Sequence, residues 1–244
     1  MGIKKIAKSF ENASVCVVGM KRRGKDMLFG NVIARRKKAY ISNTDYKCKK
    51  AKYHKLSLKE FDCGGNTYKN FINGDIKYYE FPYPDGTDIY ISDCGVYFPS
   101  QFCNELNRDF KDFPTFFALS GQLGQCFVHS NCQNFSRIWD KIREHADVFY
   151  YCNWCKAIGK LVIQKVTYYE RAESCQARIP TFKFKLPLFA KKEMKNLLAI
   201  EKEKYRIQHG EIKTHLLVYF NKSKYDTRIF KEMLKNGKKD NIGN

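Results

Sequence analysis

The residues with the clearest chemical potential form a short glycine-bounded segment near the amino terminus. It consists of Gly19, Met20, Lys21, Arg22, Arg23, Gly24, Lys25, Asp26 and Met27. The spacing is that of a phosphate-binding loop, G-x-x-x-x-G-K-[ST], except that Asp26 stands where a hydroxyl residue is expected. In such a loop, backbone N–H groups and the positive end of the following helix hold the phosphates, and the lysine reaches the β- and γ-phosphates. The segment predicts a nucleotide site; the alternative is a chance basic turn.

Two acids are candidate Mg²⁺ ligands, because carboxylate oxygens suit a hard cation. Asp26 follows the loop lysine, and Asp93 ends the apolar run 88–92 about seventy residues later. An acid at the carboxyl end of a neighbouring strand is well placed to orient Mg²⁺. The alternative is that Asp93 caps a turn before Gly95. Many ATPases carry a glutamate base after this acid, but here the residue is Cys94. Either Glu105 or Asp109 serves as the base, or hydrolysis is slow.

The elements that must position these residues alternate between strand and helix patterns. The Val-rich run 14–19 predicts a buried strand before the loop, and the helical spacing from Lys25 onward predicts a helix after it. Further strands are predicted at 39–42, 88–93 and 126–129, a helix at 134–145, and a hairpin from 148–155 and 161–169. Helices are also expected at 101–106, 113–119 and 191–206. This alternation predicts an α/β fold with a parallel sheet and crossover helices.

The charge balance favours a polyanionic partner. The chain has 45 Lys and Arg against 25 Asp and Glu, a formal net charge of +20. Nucleic acid is the first candidate and an anionic membrane surface the second, although AT-rich codon usage also inflates lysine. The Lys-rich stretches 47–59 and 191–206 are the best candidates for phosphate-backbone contact. The basic run 35–38 could contact DNA, but it is also typical of a helix carboxyl end, where cations interact favourably with the helix dipole. Tyr168 and Tyr169 could stack on bases, but packing within the sheet is the favoured interpretation.

Cysteine usage and hydropathy point to a soluble cytoplasmic protein. Ten cysteines occur without a secretory signal, which favours reduced thiols. Cys152 and Cys155 form a lone CxxC with no second ligand pair, so structural thiols are expected rather than zinc. No run of about eighteen apolar residues is present, so membrane contact is expected only at the surface or through a partner.

Three segments together resemble a known family. The stretches 17–46, 89–101 and 116–144 fall in the order found in zonular-occludens-toxin-like ATPases of filamentous phages, relatives of the FtsK/HerA branch of P-loop ATPases. The resemblance covers about residues 13–178. It implies a P-loop NTPase core with a mainly parallel central sheet flanked by helices, over residues 1–178. A Lys-rich insertion falls at about 47–87, and a small basic C-terminal extension at 179–244.

The resemblance also implies cofactors and roles. The implied cofactors are ATP and Mg²⁺. Gly24 and Lys25 would bind phosphate, and Asp26 and Asp93 would hold Mg²⁺. Gln133 would sense the γ-phosphate, and Arg143 would act as an intersubunit finger or lie on the helix surface. Gln133 is alternatively a turn residue at a strand end. The catalytic set is therefore Lys25, Asp93, Gln133 and Arg143.

The implied function is a viral or phage motor that couples ATP hydrolysis in a homo-oligomeric ring to DNA packaging or extrusion during virion assembly. DNA of either form, bound without sequence preference, and phage or membrane assembly proteins are the implied partners. Cys94, and Ser120-Gly121-Gln122 where the family carries basic residues, depart from the pattern and weaken the expectation of fast hydrolysis. The family's C-terminal membrane helix is not found, which favours a soluble motor in the host cytoplasm. A small-molecule P-loop kinase and a catalytically weak nucleotide-binding scaffold are the alternatives.

Overall fold

A computed structural model describes residues 2–56, 86–104, 127–184 and 191–222, apart from the side chain of Tyr97. The helices are α1 (Ile3–Ser9), α2 (Lys25–Arg36), α3 (Cys94–Tyr97), α4 (Asp140–Glu144), α5 (Ala172–Gln176) and α6 (Lys192–His209). The strands are β1 (Val15–Val18), β2 (Tyr40–Ser42), β3 (Tyr53–Lys55), β4 (Asp88–Ile91), β5 (Val128–Cys132), β6 (Val148–Ile158), β7 (Leu161–Tyr169) and β8 (Ile212–Phe220). Short 3₁₀ turns cover Ser100–Phe102 and Phe135–Arg137.

The strands form a single eight-stranded sheet in the order β3-β2-β4-β5-β1-β6-β7-β8. The five pairings from β3 to β6 are parallel, and the two that join β6, β7 and β8 are antiparallel. The predicted α/β fold, with a mainly parallel sheet flanked by helices, is confirmed. The parallel half places the carboxyl ends of β1, β4 and β5 at one edge, where the residues after each strand can meet.

Both faces of the central sheet are buried, which explains why β1 is apolar at every position. Val15 and Val17 pack with α1 and α2 on one face, in a cluster that also contains Phe29. Cys16 and Val18 face the opposite cluster, which includes Trp139. Alternate residues of β1 thus anchor two separate layers, and the strand that leads into the loop is rigidly held.

The predicted hairpin is present and is extended by a third strand. β6 and β7 pair across a turn at Gly159, with a register shift between Cys152 and Trp154. β8 then pairs along the whole of β7, although it comes from the segment 179–244. The division of the chain at residue 178 stays a prediction, and the sequence patterns did not predict that this segment adds a strand to the sheet.

The helix predicted over 134–145 is wrong for its first half. Asn134 accepts a hydrogen bond from the Ser136 backbone N–H and begins a 3₁₀ turn. Ile138 is then extended and bridges to Pro99, so only Asp140–Glu144 is helical. The buried side chain of Trp139 stacks with Phe98, and this packing overrides the helical spacing.

Several expectations fall outside the described residues. These include most of the insertion 47–87, the helix at 113–119, and the candidate bases Glu105 and Asp109. In the ranges that the structure does describe, no helix has the length and apolar character needed to cross a membrane.

Candidate functional site

The glycine-bounded segment connects the central strand β1 to α2, as the sequence predicts. The Gly19 N–H donates to the Cys132 carbonyl at 3.1 Å, and the Arg23 N–H donates to the Met20 carbonyl at 3.2 Å. α2 begins at Lys25, with Gly24 as its N-cap. A strand, a tight loop and a helix N-terminus follow one another here, and the N–H groups of the first turn of α2 are suited to an anion.

Lys25 is buried inside this loop. Only 5% of the residue is exposed, and its Nζ donates to the Met20 carbonyl at 3.5 Å, a long hydrogen bond. Among the residues that the structure describes, Lys25 forms no ion pair. A buried ammonium group held by one distant carbonyl is unusual, because buried charges are ordinarily paired. It is suited to receive an anionic ligand.

The two predicted metal ligands are brought together by residues that the sequence patterns did not single out. Asp26 Oδ1 accepts hydrogen bonds from the Ser92 hydroxyl and from Asn131 Nδ2, the latter at 2.9 Å. The Oδ1 atom of Asn131 accepts from the Asp93 backbone N–H, also at 2.9 Å. Asn131 therefore bridges the two acids.

The strand order differs in one respect from the expected layout. β4, which leads to Asp93, is not adjacent to β1, because β5 lies between them. Asn131 is on β5 and spans the gap. The acids meet despite the intervening strand, since parallel strands end at the same edge.

The environment of Asp93 indicates a crowded negative site. Burial raises the pKa of this carboxyl group, and the charge of Asp26 raises it further, while Lys25 and Lys21 act in the opposite direction. Asp93 also has a left-handed backbone, with φ 47°. Mutual repulsion between carboxylates favours a divalent cation between them.

The donor set fits Mg²⁺. Two carboxylates, the Asn131 amide oxygen and the Ser92 hydroxyl are all hard oxygen ligands, and Mg²⁺ is typically held by one or two carboxylates plus phosphate oxygens and water. Asp26 and Asp93 are the groups that would hold it. No cluster of three or more His, Cys, Asp or Glu side chains that could hold a metal ion occurs in the described ranges.

Gln133 and Arg143 both lie in the segment that connects β5 to β6. Gln133 is exposed and directly follows β5, two residues beyond Asn131. The Arg143 guanidinium lies over the Phe135 ring, 5.7 Å from its centre, on the helix that leads to the start of β6. In the described part of the chain, neither side chain forms a hydrogen bond or an ion pair with the loop or with the acids, and their roles stay predictions.

Cys94 is fully buried, and burial raises the pKa of its thiol well above its usual range. The thiol is therefore neutral near neutral pH and cannot accept a proton from water. This agrees with the expectation that Cys94 does not replace a glutamate base.

The loop is supported from behind by the β6–β7 hairpin. A Cβ atom on Gly24 would lie 2.8 Å from Cys155 Sγ and 2.9 Å from Gln164 Nε2. A Cβ atom on Gly19 would lie 2.9 Å from the Cys152 Cβ atom. Cys152 and Cys155, which the sequence suggested as structural thiols, are packing groups against the two glycines.

These observations define an α/β protein in which a strand–loop–helix segment suited to anions adjoins two acids. No family model and no curated protein matches the chain. Among solved structures, it is similar to the N-terminal domain of zonular occludens toxin from Neisseria meningitidis, at 11% identity over 72% of this chain and 95% of that one, with a TM-score of 0.39.

Two further structures are similar. The genome packaging NTPase B204 from Sulfolobus turreted icosahedral virus 2, in complex with ATP-gammaS, is 13% identical over 86% of this chain and 93% of that one, with a TM-score of 0.37. The Legionella pneumophila ATPase DotB is 11% identical over 86% and 58%, with a TM-score of 0.38. These similarities are weak, and the fold is defined by the chain's own strand order and register.

Proposed function

We propose that the chain is a Mg²⁺-dependent ATPase that works in a homo-oligomeric ring to move DNA during virion assembly. The observation that carries the nucleotide site is the Asp26–Asn131–Asp93 bridge beside the buried Lys25. This arrangement places a lysine that can bind phosphate next to two carboxylates at one end of the loop.

The roles of the chain's own residues follow from their placement. The backbone N–H groups of Gly24, Lys25 and Asp26, at the start of α2, face the β- and γ-phosphates, and Lys25 turns from the Met20 carbonyl to a phosphate oxygen. Asp26 is oriented by Asn131 and Ser92, so it enters the reaction with fixed geometry. When bound, Mg²⁺ neutralises charge on the phosphates. Arg143 from another subunit is the proposed source of transition-state stabilisation, and Gln133 the proposed γ-phosphate sensor.

The motor role is supported by the family resemblance and by the charge. The exposed lysines of α6, none of whose residues is buried, are the proposed surface for DNA, and two basic residues of this helix, Lys204 and Arg206, also pair with glutamates one turn earlier. Phosphate-backbone binding of this kind is independent of sequence and weakens with salt.

The nucleotide site is tested with Lys25→Ala, using Lys38→Ala as the matched control. Lys38 is exposed near the opposite end of α2. Removing a charge-assisted hydrogen bond costs about 1.5–3 kcal/mol, so Lys25→Ala should weaken ATP binding by about 10- to 150-fold. Lys38→Ala should bind ATP like the wild type. Equal ATP affinity in the Lys25 variant and the wild type, measured by titration calorimetry, would exclude the loop.

DNA binding is tested by fluorescence anisotropy over a salt series. The logarithm of the binding constant should fall linearly with the logarithm of salt concentration, for single- and double-stranded probes of unrelated sequence. If no DNA binds at low salt, the motor role fails while the nucleotide site stands.

A catalytically weak nucleotide-binding scaffold is the second candidate, because Cys94 is a buried neutral thiol. Phosphate release with and without DNA separates the two. The motor requires DNA-stimulated release and a ring visible by electron microscopy with ATP and Mg²⁺. A scaffold binds ATP without release, and a small-molecule kinase would be monomeric.

A further inference from the structure

A buried glutamine from the hairpin contacts the back of the loop. Gln164 lies on β7 and is 0% exposed. Its Nε2 donates to the carbonyl of Arg23 at 3.2 Å and to the carbonyl of Gly24 at 3.1 Å. Its Oε1 accepts from the Tyr219 hydroxyl at 2.7 Å. Two strands, β7 and β8, thus support the two peptide groups before α2.

These contacts help to determine where the loop N–H groups point. The Gly24 carbonyl also accepts from the Leu28 N–H at 2.9 Å, within α2, whereas the Arg23 carbonyl is held by Gln164. Peptide bonds are planar and trans, so a carbonyl and the N–H of the next residue point in opposite directions. With the Arg23 and Gly24 carbonyls turned toward Gln164, the N–H groups of Gly24 and Lys25 are turned away from the hairpin.

The orientation of Gln164 is itself fixed. An amide side chain can flip, exchanging donor and acceptor, but the Tyr219 hydroxyl donates to Oε1 and leaves Nε2 facing the loop. Tyr219 is only 3% exposed and lies on β8. A glutamine with both ends satisfied has little freedom to rotate, which makes it a rigid support.

We infer that Gln164, oriented by Tyr219, is a positioning residue that holds the loop amides in the arrangement that binds polyphosphate. The inference rests on the proposed nucleotide site and adds residues from the hairpin and from β8 to it. It also means that β8, although it comes from the segment 179–244, contributes to phosphate binding.

The test measures binding of ATP and of inorganic tripolyphosphate to the full chain by titration calorimetry. Gln164→Leu keeps the approximate volume but removes the donor to both carbonyls. Two lost hydrogen bonds of ordinary strength should weaken binding of both ligands by about tenfold or more. The loss should be equal for the two ligands, because only phosphate contacts the loop. Tyr219→Phe should give a smaller loss, of about two- to fivefold.

Thr167→Val is the matched control on the same strand. Thr167 is buried, and its hydroxyl bonds Asn153 at 2.9 Å and Thr214 at 3.1 Å, with no contact to the loop. It should lose stability on a similar scale but bind both ligands within twofold of the wild type. Hydrogen exchange over residues 19–25 should rise in Gln164→Leu and not in Thr167→Val.

The outcomes separate two failures. If the wild type binds ATP and tripolyphosphate and Gln164→Leu binds them equally well, the inference is overturned and the nucleotide site stands. The same holds if Thr167→Val loses as much affinity. If the wild type binds neither ligand, the proposed function is overturned and this inference with it.

Discussion

Replacing Gly24 with alanine should destabilise the protein by two separable physical effects. The backbone of Gly24 is left-handed, with φ 81°. An L-residue with a Cβ atom pays about 1–2 kcal/mol in that conformation. The new Cβ atom would also lie 2.8 Å from the Cβ and Sγ atoms of Cys155, and overpacking of a well-packed site costs about 1–3 kcal/mol. The expected loss in unfolding free energy is therefore about 2–5 kcal/mol.

Gly159→Ala is the matched control, because it isolates the first effect. Gly159 is also left-handed, with φ 57°, but a Cβ atom there meets nothing within 4 Å. It should cost only the conformational part. The free energies of unfolding from urea titrations should differ between the two variants by about 1–3 kcal/mol. Cys155→Ala removes one of the close atoms, so the double variant with Gly24→Ala should recover part of the loss.

Nucleotide binding gives the second readout for the same variants. Gly24→Ala pushes the loop away from the hairpin and should weaken ATP binding at temperatures where the protein stays folded. Gly159→Ala should leave ATP binding unchanged. Equal losses of stability at the two glycines, or full ATP affinity in Gly24→Ala, would refute the reasoning that the hairpin presses against the loop.

Two further substitutions test charges. Asp93→Asn should raise the free energy of unfolding at neutral pH and abolish Mg²⁺-dependent phosphate release. The pKa of Asp93 is raised, so its negative charge opposes folding above that pKa. The stability advantage of Asp93→Asn should therefore fade in acid, where the wild-type carboxyl group is protonated. Urea titrations at neutral and at acid pH measure this difference. Arg36→Met leaves the Asp88 carboxylate buried without its cation, and the expected loss of unfolding free energy in urea is about 3–5 kcal/mol. ATP affinity should be unchanged, because Asp88 begins β4 and the loop lies near the carboxyl end of that strand.

The local part of the site was predictable from the sequence, because it depends on neighbours in the chain. The apolar run before Gly19, the two glycines and Lys25 lie within a dozen residues, and their pattern predicts strand, loop and helix without tertiary information. The convergence of Asp26 and Asp93 was also predictable in outline, since parallel strands end at one edge. The position of β5 between β1 and β4 was not predictable in this way.

Asn131 and Gln164 escaped prediction for different physical reasons. The three middle residues of β5, from His129 to Asn131, are polar, so the apolar pattern stopped before the strand did. Gln164 shares the buried face of β7 with Val162 and Val166, but a single polar residue on that face does not reveal which groups it contacts. Its partners, Arg23 and Tyr219, are distant in sequence, and only the completed sheet brings them together.

The site concentrates features that oppose folding, and the proposed Mg²⁺–triphosphate ligand would offset the electrostatic ones. Two carboxylates crowd at one strand edge, Lys25 is buried against a single carbonyl, and Arg22 and Asp93 have left-handed backbones. Each costs free energy and persists only where the surrounding structure enforces it. A cation between the acids and phosphate oxygens on Lys25 would reverse the two electrostatic costs. Binding should therefore stabilise the wild type by more than it stabilises Asp93→Asn, in which one of those costs has already been removed.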